Sequence, residues 1–371
     1  MIPVFEPEIG EDDIAEVVAA LRRGEISGSF GEAIPAFEHE FSAYVSCAHG
    51  VAVTSGTTAL HLAIAALELP PGSEVLISAS TNIATALACY HNGCVPVPVD
   101  SENVTWNLDL DLIEALITSK TRAIIPVHLF GHPVAMDRLM EIASRHNLIV
   151  IEDCAESHGA TWRERMTGSF GHMSCFSFYA NKIITTGEGG MVTTNDTTLA
   201  EKLRLLRNLA FGKPRFLHQI AGYQFRMTGM QASLGRAQFR KIERFIEQKR
   251  NMARSYNRHL LGIAGLQTPS ELRGARNVYW MYAVTIDAAA FGMPRDALTQ
   301  YLFSEGVETR TFFCPMNMQP FLRRQTGFRD IPCPVAENLW MTGFYLPSAC
   351  GLTEATISKI ADLIRRAPLT A

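Results

Sequence analysis

A lysine stands where covalent chemistry could use it. Lys182 closes the run Phe176-Ser177-Phe178-Tyr179-Ala180-Asn181-Lys182, just past an apolar, strand-like stretch, and Gly187-Glu188-Gly189-Gly190 follows. A partly desolvated lysine stays neutral at lower pH and becomes a nucleophile. One chemistry that needs such a residue is Schiff-base attachment of pyridoxal phosphate. A single lysine is more often an ordinary surface residue, so the weight falls on its companions. Asp153 ends the apolar run Leu148-Ile149-Val150-Ile151 and precedes Cys154-Ala155-Glu156-Ser157-His158-Gly159-Ala160. A carboxylate there can pair with a protonated pyridine nitrogen and keep the ring an electron sink; alone, it would equally well cap the next turn. Ala155 leaves room for a flat ring. His158 could be catalytic, although a lone histidine is more often a hydrogen-bonded structural one. Ser55-Gly56-Thr57-Thr58 separates the short strand Gly50–Thr54 from a helix over Ala59–Leu67. The free N–H groups at such a helix start suit a phosphate, although the turn is neither Gly-x-Gly-x-x-Gly nor a Walker loop, and Ser or Thr there is usually an N-cap. His128, His132, His158 and His172 do not form a helical ligand set, and no metal is expected.

The elements that must position these residues alternate. Strands are expected at Val75–Ile77, Val95–Val99, Ala123–Val127, Leu148–Glu152 and Met173–Phe178, with helices near 82–91, 109–118 and 136–146. Such alternation implies an α/β fold with a parallel sheet covered on both faces. Ligands bind at the carboxyl ends of such strands, which places Asp100, Asp153 and the 54–58 turn near one rim. Before the sheet, a helix after Asp12-Asp13 puts Ile14, Val17, Val18 and Leu21 on one face and stops at Gly24. A small-residue loop, Ser27 to Gly31, could let its backbone approach a ligand, and a second helix carries Phe37, Phe41 and Tyr44. After the sheet come the strand Met191–Thr194, a helix near 198–207, a basic loop at 211–216 and a helical stretch over about 229–260. A strand at Trp280–Ile286, a helix at Pro294–Gly306 and an amphipathic helix at Thr353–Ala367 suggest a smaller α+β domain. The division is 1–249, the large domain, and 250–371, the small one.

Composition narrows the classes. The chain has 371 residues, 47% hydrophobic and 19% charged, with a formal charge of -4. That is globular and carries no electrostatic footprint for nucleic acid. The longest apolar run, Ala59–Leu69, contains His61 and Glu68, so no membrane span is expected. Eight cysteines without a Cys-x-x-Cys pair, behind no signal-like start, fit the reduced thiols of a cytoplasmic protein.

Thr54-Ser55-Gly56-Thr57, Glu152-Asp153-Cys154-Ala155-Glu156, Phe176 to Lys182 and Thr186-Gly187-Glu188-Gly189-Gly190 resemble, in order and spacing, the motifs of the DegT/StrS family. The resemblance extends through Pro126 to Gly131 and Gly222 to Thr228, and is greatest to the perosamine-synthase subgroup. It implies a fold-type-I aminotransferase that uses pyridoxal phosphate to aminate nucleotide-linked 4-keto-6-deoxy sugars, with L-glutamate as donor. It also implies a homodimer with shared active sites. By the same resemblance Lys182 is the Schiff-base lysine and acid/base, and Asp153 the partner of the pyridine nitrogen. Gly56, Thr57 and Ser177 contact the phosphate, Ala155 packs under the ring, and Glu156 lies beside the phenolic oxygen at a position that is often Gln. Asn82 stands where relatives place a stacking aromatic ring. Gln224 replaces an Asn that contacts the partner's phosphate, and Cys314 and Asn317 replace an aromatic residue and a histidine near the sugar. Ser27 and His158 are further candidates for the substrate side. A sugar dehydratase of the same family, or a non-catalytic or regulatory nucleotide-sugar-binding protein on the same fold, are the alternatives; Lys182 argues against the first, since some such relatives carry histidine there.

Overall fold

The computed structural model describes residues 1–28, 30–214 and 216–367. Seven strands make the large sheet: β1 (His49–Val53), β2 (Glu74–Ser78), β3 (Val95–Val99), β4 (Thr121–Ile125), β5 (Ile149–Asp153), β6 (Met173–Ser177) and β7 (Gly190–Thr194). Their spatial order is β1-β7-β6-β5-β4-β2-β3. The pairs from β6 through β5, β4 and β2 to β3 are parallel, and β7 is antiparallel to both its neighbours. Every strand but β7 therefore runs the same way, and their carboxyl ends share one rim. The strand runs are apolar at successive positions because both faces are covered. Val51, Val75, Ile77, Ile125, Ile151 and Val192 enter one core with the helix Gly56–Ala66, while Leu76, Val97, Ile124 and Val150 enter another with the helix Met136–Arg145.

Two expected helices differ. The 109–118 segment is a single 3-10 turn, Leu110–Leu112, and one α-turn, Ile113–Leu116; of these residues only Ile113 is buried, too little apolar contact to hold a longer helix. The 229–260 stretch is two helices, Gly229–Phe239 and Ile242–Leu260. At the break Lys241 turns to the buried Asp13, with Nζ 2.6 Å from Oδ2, and Gln238 Nε2 donates to the same oxygen at 2.9 Å. Asp13 thus faces inward on the helix Glu11–Arg23, and the apolar stripe of that helix faces outward: Ile14, Val18 and Leu21 are 49%, 36% and 48% exposed.

The C-terminal part holds an antiparallel sheet of Leu266–Gln267, Tyr282–Ile286, Gly343–Leu346 and Arg310–Thr311. Helices Arg295–Ser304 and Glu354–Arg366 share its core, and Ile357, Ile360, Ala361 and Ile364 are all buried there. The helix Ile242–Leu260 runs unbroken across the 249/250 position, and the N-terminal arm joins this smaller unit: Ile2 pairs with Val307, and Ser348 N–H donates to Val4 O at 2.8 Å. Among the described residues no helix is long and apolar enough to cross a membrane.

Candidate active site

The rim carries the chemistry. β5 delivers Asp153, whose backbone is fixed to the neighbouring chain: its N–H donates to Pro126 O at 2.9 Å, and His128 N–H donates to its carbonyl at 3.2 Å. The side chain is buried. Oδ1 accepts the Ala155 N–H at 3.1 Å and Oδ2 accepts the Thr85 hydroxyl at 2.9 Å. Burial raises this carboxyl above its ordinary range, against the pull of those two donors and of Lys182. Its neighbour Glu152 points to the other face of the sheet. It accepts from His128 Nε2 (3.1 Å), Ser174 Oγ (3.1 Å) and the N–H groups of Gly168, Phe170 and Gly171 (2.9, 2.7 and 2.7 Å). Burial opposes its charge, but His128 and the backbone donors outweigh burial and hold the carboxyl below its usual value. His128, Glu152 and Cys154 have metal-like spacing. His128 Nδ1, however, accepts the Val134 N–H at 3.0 Å, so Nε2 carries the proton toward Glu152. With its nitrogens so used, the group anchors the loops behind the site.

Lys182 lies on the loop after β6. Phe178 N–H donates to Gly189 O (2.8 Å), Thr186 N–H to Phe178 O and Lys182 N–H to Tyr179 O (both 2.9 Å), which folds the loop back on itself beside β7. The amine sits 3.8 Å from the centroid of the Trp280 ring, and the indole N–H donates to Asn181 O at 2.7 Å. Burial lowers the pKa of Lys182, while Glu156 and Asp153 oppose that shift. Glu156 is buried across from it. One of its oxygens accepts the Phe130 N–H at 2.7 Å, from a backbone in the left-handed region (φ 52°), and burial pushes this carboxyl up.

The third wall is the N-terminus of the helix Gly56–Ala66. Ser55 Oγ caps the Thr58 N–H at 3.1 Å, so the N–H groups of Gly56 and Thr57 have no intrahelical partner. Gly56 is required by close approach, because a Cβ there would lie 2.7 Å from the Cβ of Ser177. A cavity of about 260 Å³ joins these parts. Gly56, Thr57, Asn82, Asp153, Ala155, Glu156, Ser177 and Lys182 line it, with Tyr179, Trp280, Phe313 and Tyr345 forming aromatic walls. Hydrogen-bond donors for an anion, a carboxylate and a desolvated amine thus converge on one space large enough for a small flat molecule.

The family model for DegT/DnrJ/EryC1/StrS aminotransferases matches residues 7–365. The chain belongs to that family. It is 42% identical to the GDP-perosamine synthase of Caulobacter vibrioides over 335 residues, 90% of this chain and 89% of that protein. It is 36% identical to the GDP-perosamine synthase of Escherichia coli O157:H7, covering 98% and 97%. Among solved structures it is similar to DesV of S. venezuelae in complex with a ketimine intermediate, with TM-score 0.89, 33% identity and coverage of 96% and 94%. The chain is a sugar-nucleotide aminotransferase of the pyridoxal-phosphate-dependent kind. The site fits that cofactor: an anion cradle at Gly56, Thr57 and Ser177, a carboxylate at Asp153 and an amine at Lys182, with the small Ala155 between.

Five expected site residues do not line the cavity. His158 is fully buried among the rings of Phe41, Phe176 and Phe178, at 6.2, 5.5 and 5.7 Å, and burial presses its pKa down to about 3. The turn after Glu156 takes it into the core. Asn317 is spent on structure, its amide donating to Glu337 Oε1 at 2.7 Å, and Cys314 is half-buried outside the wall that Phe313 fills. Ser27 and Gln224 are both exposed. Ser29, in the same loop as Ser27, lies outside the described residues, as does Arg215 of the basic loop. Asn82 lines the mouth of the cavity, where its Oδ1 caps the helix Ile83–His91 through the Ala84 N–H at 3.0 Å. Asp100 caps the helix Pro334–Thr342 instead of serving the site, accepting from Val335 and Ala336 N–H at 3.0 and 2.8 Å. Sequence reasoning missed Thr85, Trp280, Phe313 and Tyr345. Thr85 left a local signal, a second threonine four residues after Thr81 and one helical turn along, and Phe313 stands directly before Cys314, a position the resemblance had marked.

Proposed function

We propose that this chain transfers the amino group of L-glutamate to a nucleotide-linked 4-keto-6-deoxy sugar, as a cytoplasmic homodimer with shared sites. The observation that carries the reading is the meeting of Lys182 and Asp153 in one aromatic-walled cavity, with the helix start at Gly56 on its third side. Held there, pyridoxal phosphate supplies an electron sink for the charge left when a proton leaves the amine-bearing carbon. The protein's own residues do the rest. The N–H groups of Gly56 and Thr57 and the hydroxyl of Ser177 bind the phosphate end. Asp153, oriented by Thr85 and Ala155, holds a positive charge on the ring nitrogen. Lys182, its amine brought toward neutrality by burial, carries the covalent bond and then moves the proton. Glu156, raised by burial, can hold a proton opposite the lysine and donate it as an amide would.

Two relatives that match over most of the chain are GDP-perosamine synthases, which supports the sugar class. The outward stripe Ile14, Val18 and Leu21, the exposed Ile26 and Phe30, and the exposed Gln224 support a second subunit covering this face. Gly28 lies against Met227 and Arg226, so the Ser27 loop and the Gln224 segment belong to one surface. The test is a panel of nucleotide-linked keto sugars offered with nitrogen-labelled L-glutamate and read by mass spectrometry. A 4-amino-6-deoxy product carrying the label is expected. Amination of none of the panel, with the cofactor demonstrably bound, would refute the substrate assignment.

A further inference from the structure

Outside the residues already given roles, the structure contains a second unusual lysine. Lys249 is fully buried, and among the described residues it pairs with no carboxylate; the ionisable group that acts on it is the Cys350 thiol. Lysine is almost never so placed unless paired. Its ammonium donates to Trp280 O at 3.0 Å and to Ser348 O, and it lies 4.8 Å from the centre of the Phe5 ring. These partners come from three chain segments: the N-terminal arm, the residues just before the strand Tyr282–Ile286 and those just after the strand Gly343–Leu346. The same hub is closed by Ser348, whose N–H donates to Val4 O at 2.8 Å and whose hydroxyl oxygen accepts the Tyr282 N–H at 2.9 Å. Lys249 therefore holds the backbone of Trp280 from behind.

In front, the indole of Trp280 is fixed by its bond to Asn181 O, and its face lies 3.8 Å from the Lys182 amine. A cation within about 6 Å of an indole centroid is attracted by the ring's electron-rich face, more strongly where water is excluded.

We propose that the indole face of Trp280 is the rest that the Lys182 amine occupies whenever it is not covalently engaged, and that Lys249 fixes this rest in place. Trp280 and Lys249 are thus positioning residues, and their role depends on the reading of Lys182 as the attachment lysine. Attachment joins the amine nitrogen to the aldehyde carbon of the cofactor and releases the carbonyl oxygen as water. Only the neutral amine attacks. A rest that favours the ammonium keeps the lysine aimed and protonated until the aldehyde arrives, and it opposes the desolvation that otherwise lowers the amine's pKa. The other charged or titratable groups around the amine are Asp153 at the end of β5, Glu156 just after it, Tyr179 and Glu188 on either side of Lys182 in the chain, and Tyr345 on the strand Gly343–Leu346, with His158 buried behind. None of them changes in the experiment that follows.

The test uses the full chain stripped of cofactor and then given pyridoxal phosphate. The rate of growth of the visible band is followed against pH, which reports the pKa of the free Lys182 amine. Trp280 is replaced site-specifically by a series of increasingly fluorinated tryptophans, which weaken the ring's electron-rich face with little change of shape. The apparent pKa should fall stepwise, by roughly one unit across the series. Lys249→Met should move the profile the same way by a smaller amount, since it frees the backbone of Trp280 without entering the cavity. A pKa independent of fluorination overturns the role of Trp280, and a response to fluorination with none to Lys249→Met overturns the role of Lys249. If the unmodified chain forms no visible band at all, the reading of Lys182 fails first and this proposal with it.

Discussion

Thr85→Val isolates a hydrogen bond that sequence reasoning did not anticipate. The substitution keeps the branched shape and removes the hydroxyl that donates to Asp153 Oδ2 at 2.9 Å. Asp153 is buried, and among the described residues its carboxyl has one other donor, the Ala155 N–H. A hydrogen bond to a charged group contributes about 1.5–3 kcal/mol. Losing it should raise the already elevated pKa of Asp153 further, since Thr85 is one of the groups that pull it down. The sign follows from linkage. Because the folded carboxyl lies above its unfolded value, folding takes up protons at this site, and its contribution to stability is full at low pH and lost as pH rises through the folded pKa. The stability difference between wild type and variant should therefore be small in acid, where Asp153 is protonated in both, and grow toward about 2 kcal/mol at neutral pH. Cofactor affinity should fall by roughly ten- to a hundredfold at neutral pH, since the same carboxylate must face a ring cation. Denaturant melts across pH and equilibrium dialysis of pyridoxal phosphate measure both quantities. A variant with wild-type affinity and a pH-independent stability difference would show that Thr85 does not support the charge on Asp153.

Three further outcomes follow from the same geometry. Asp153→Asn removes the charge at nearly constant shape and should lower turnover at saturating cofactor by at least about a hundredfold, measured as steady-state amination rate. Gln224→Ala should weaken cofactor retention by about 1–3 kcal/mol, read by dialysis, while leaving the rate of the cofactor-saturated enzyme unchanged, if this exposed amide reaches the partner's phosphate. Lys249, with its pKa pushed down to about 8 by burial, should leave a signature in the pH dependence of stability. The folded chain holds fewer protons here than the unfolded chain between about 8 and the ordinary 10.5, so wild type should gain stability over that window relative to Lys249→Met, by up to about 3 kcal/mol. Paired denaturant melts from neutral to alkaline pH would detect it.

What was legible in the sequence followed from local pattern. The run Leu148–Ile151, within an alternation of strands and helices, read as a strand covered on both faces, and the rule that ligands sit at strand carboxyl ends brought Asp153 and the 54–58 turn to one rim, where the structure has them. What was not legible depended on distant partners. Trp280 and Tyr345 reach the cavity from the smaller unit, and nothing within a few residues of them marks that approach; Phe313 reaches it beside Cys314, where the resemblance had marked the wrong neighbour. His158 lies only five residues from Asp153, yet the turn after Glu156 sends it under Phe41, a ring from a helix more than a hundred residues earlier. The stripe Ile14, Val18 and Leu21 has the periodicity of a core-facing helix, but Asp13 finds Lys241 and Gln238 and takes the inward position, leaving the stripe outside. Periodicity reveals that a face is apolar; which surface covers it is decided by the rest of the chain.

Every role proposed for the cavity depends on Lys182 being the residue that bonds the cofactor. Reduction of the pyridoxal-phosphate-loaded protein with borohydride, followed by proteolysis and mass mapping, tests this directly, because it freezes the imine on whichever lysine carries it. The pyridoxyl group is expected on the peptide containing Lys182 and should be absent from the Lys182→Ala chain treated alike. Its appearance on another lysine, or on none in a protein that still transfers amino groups, would contradict the account.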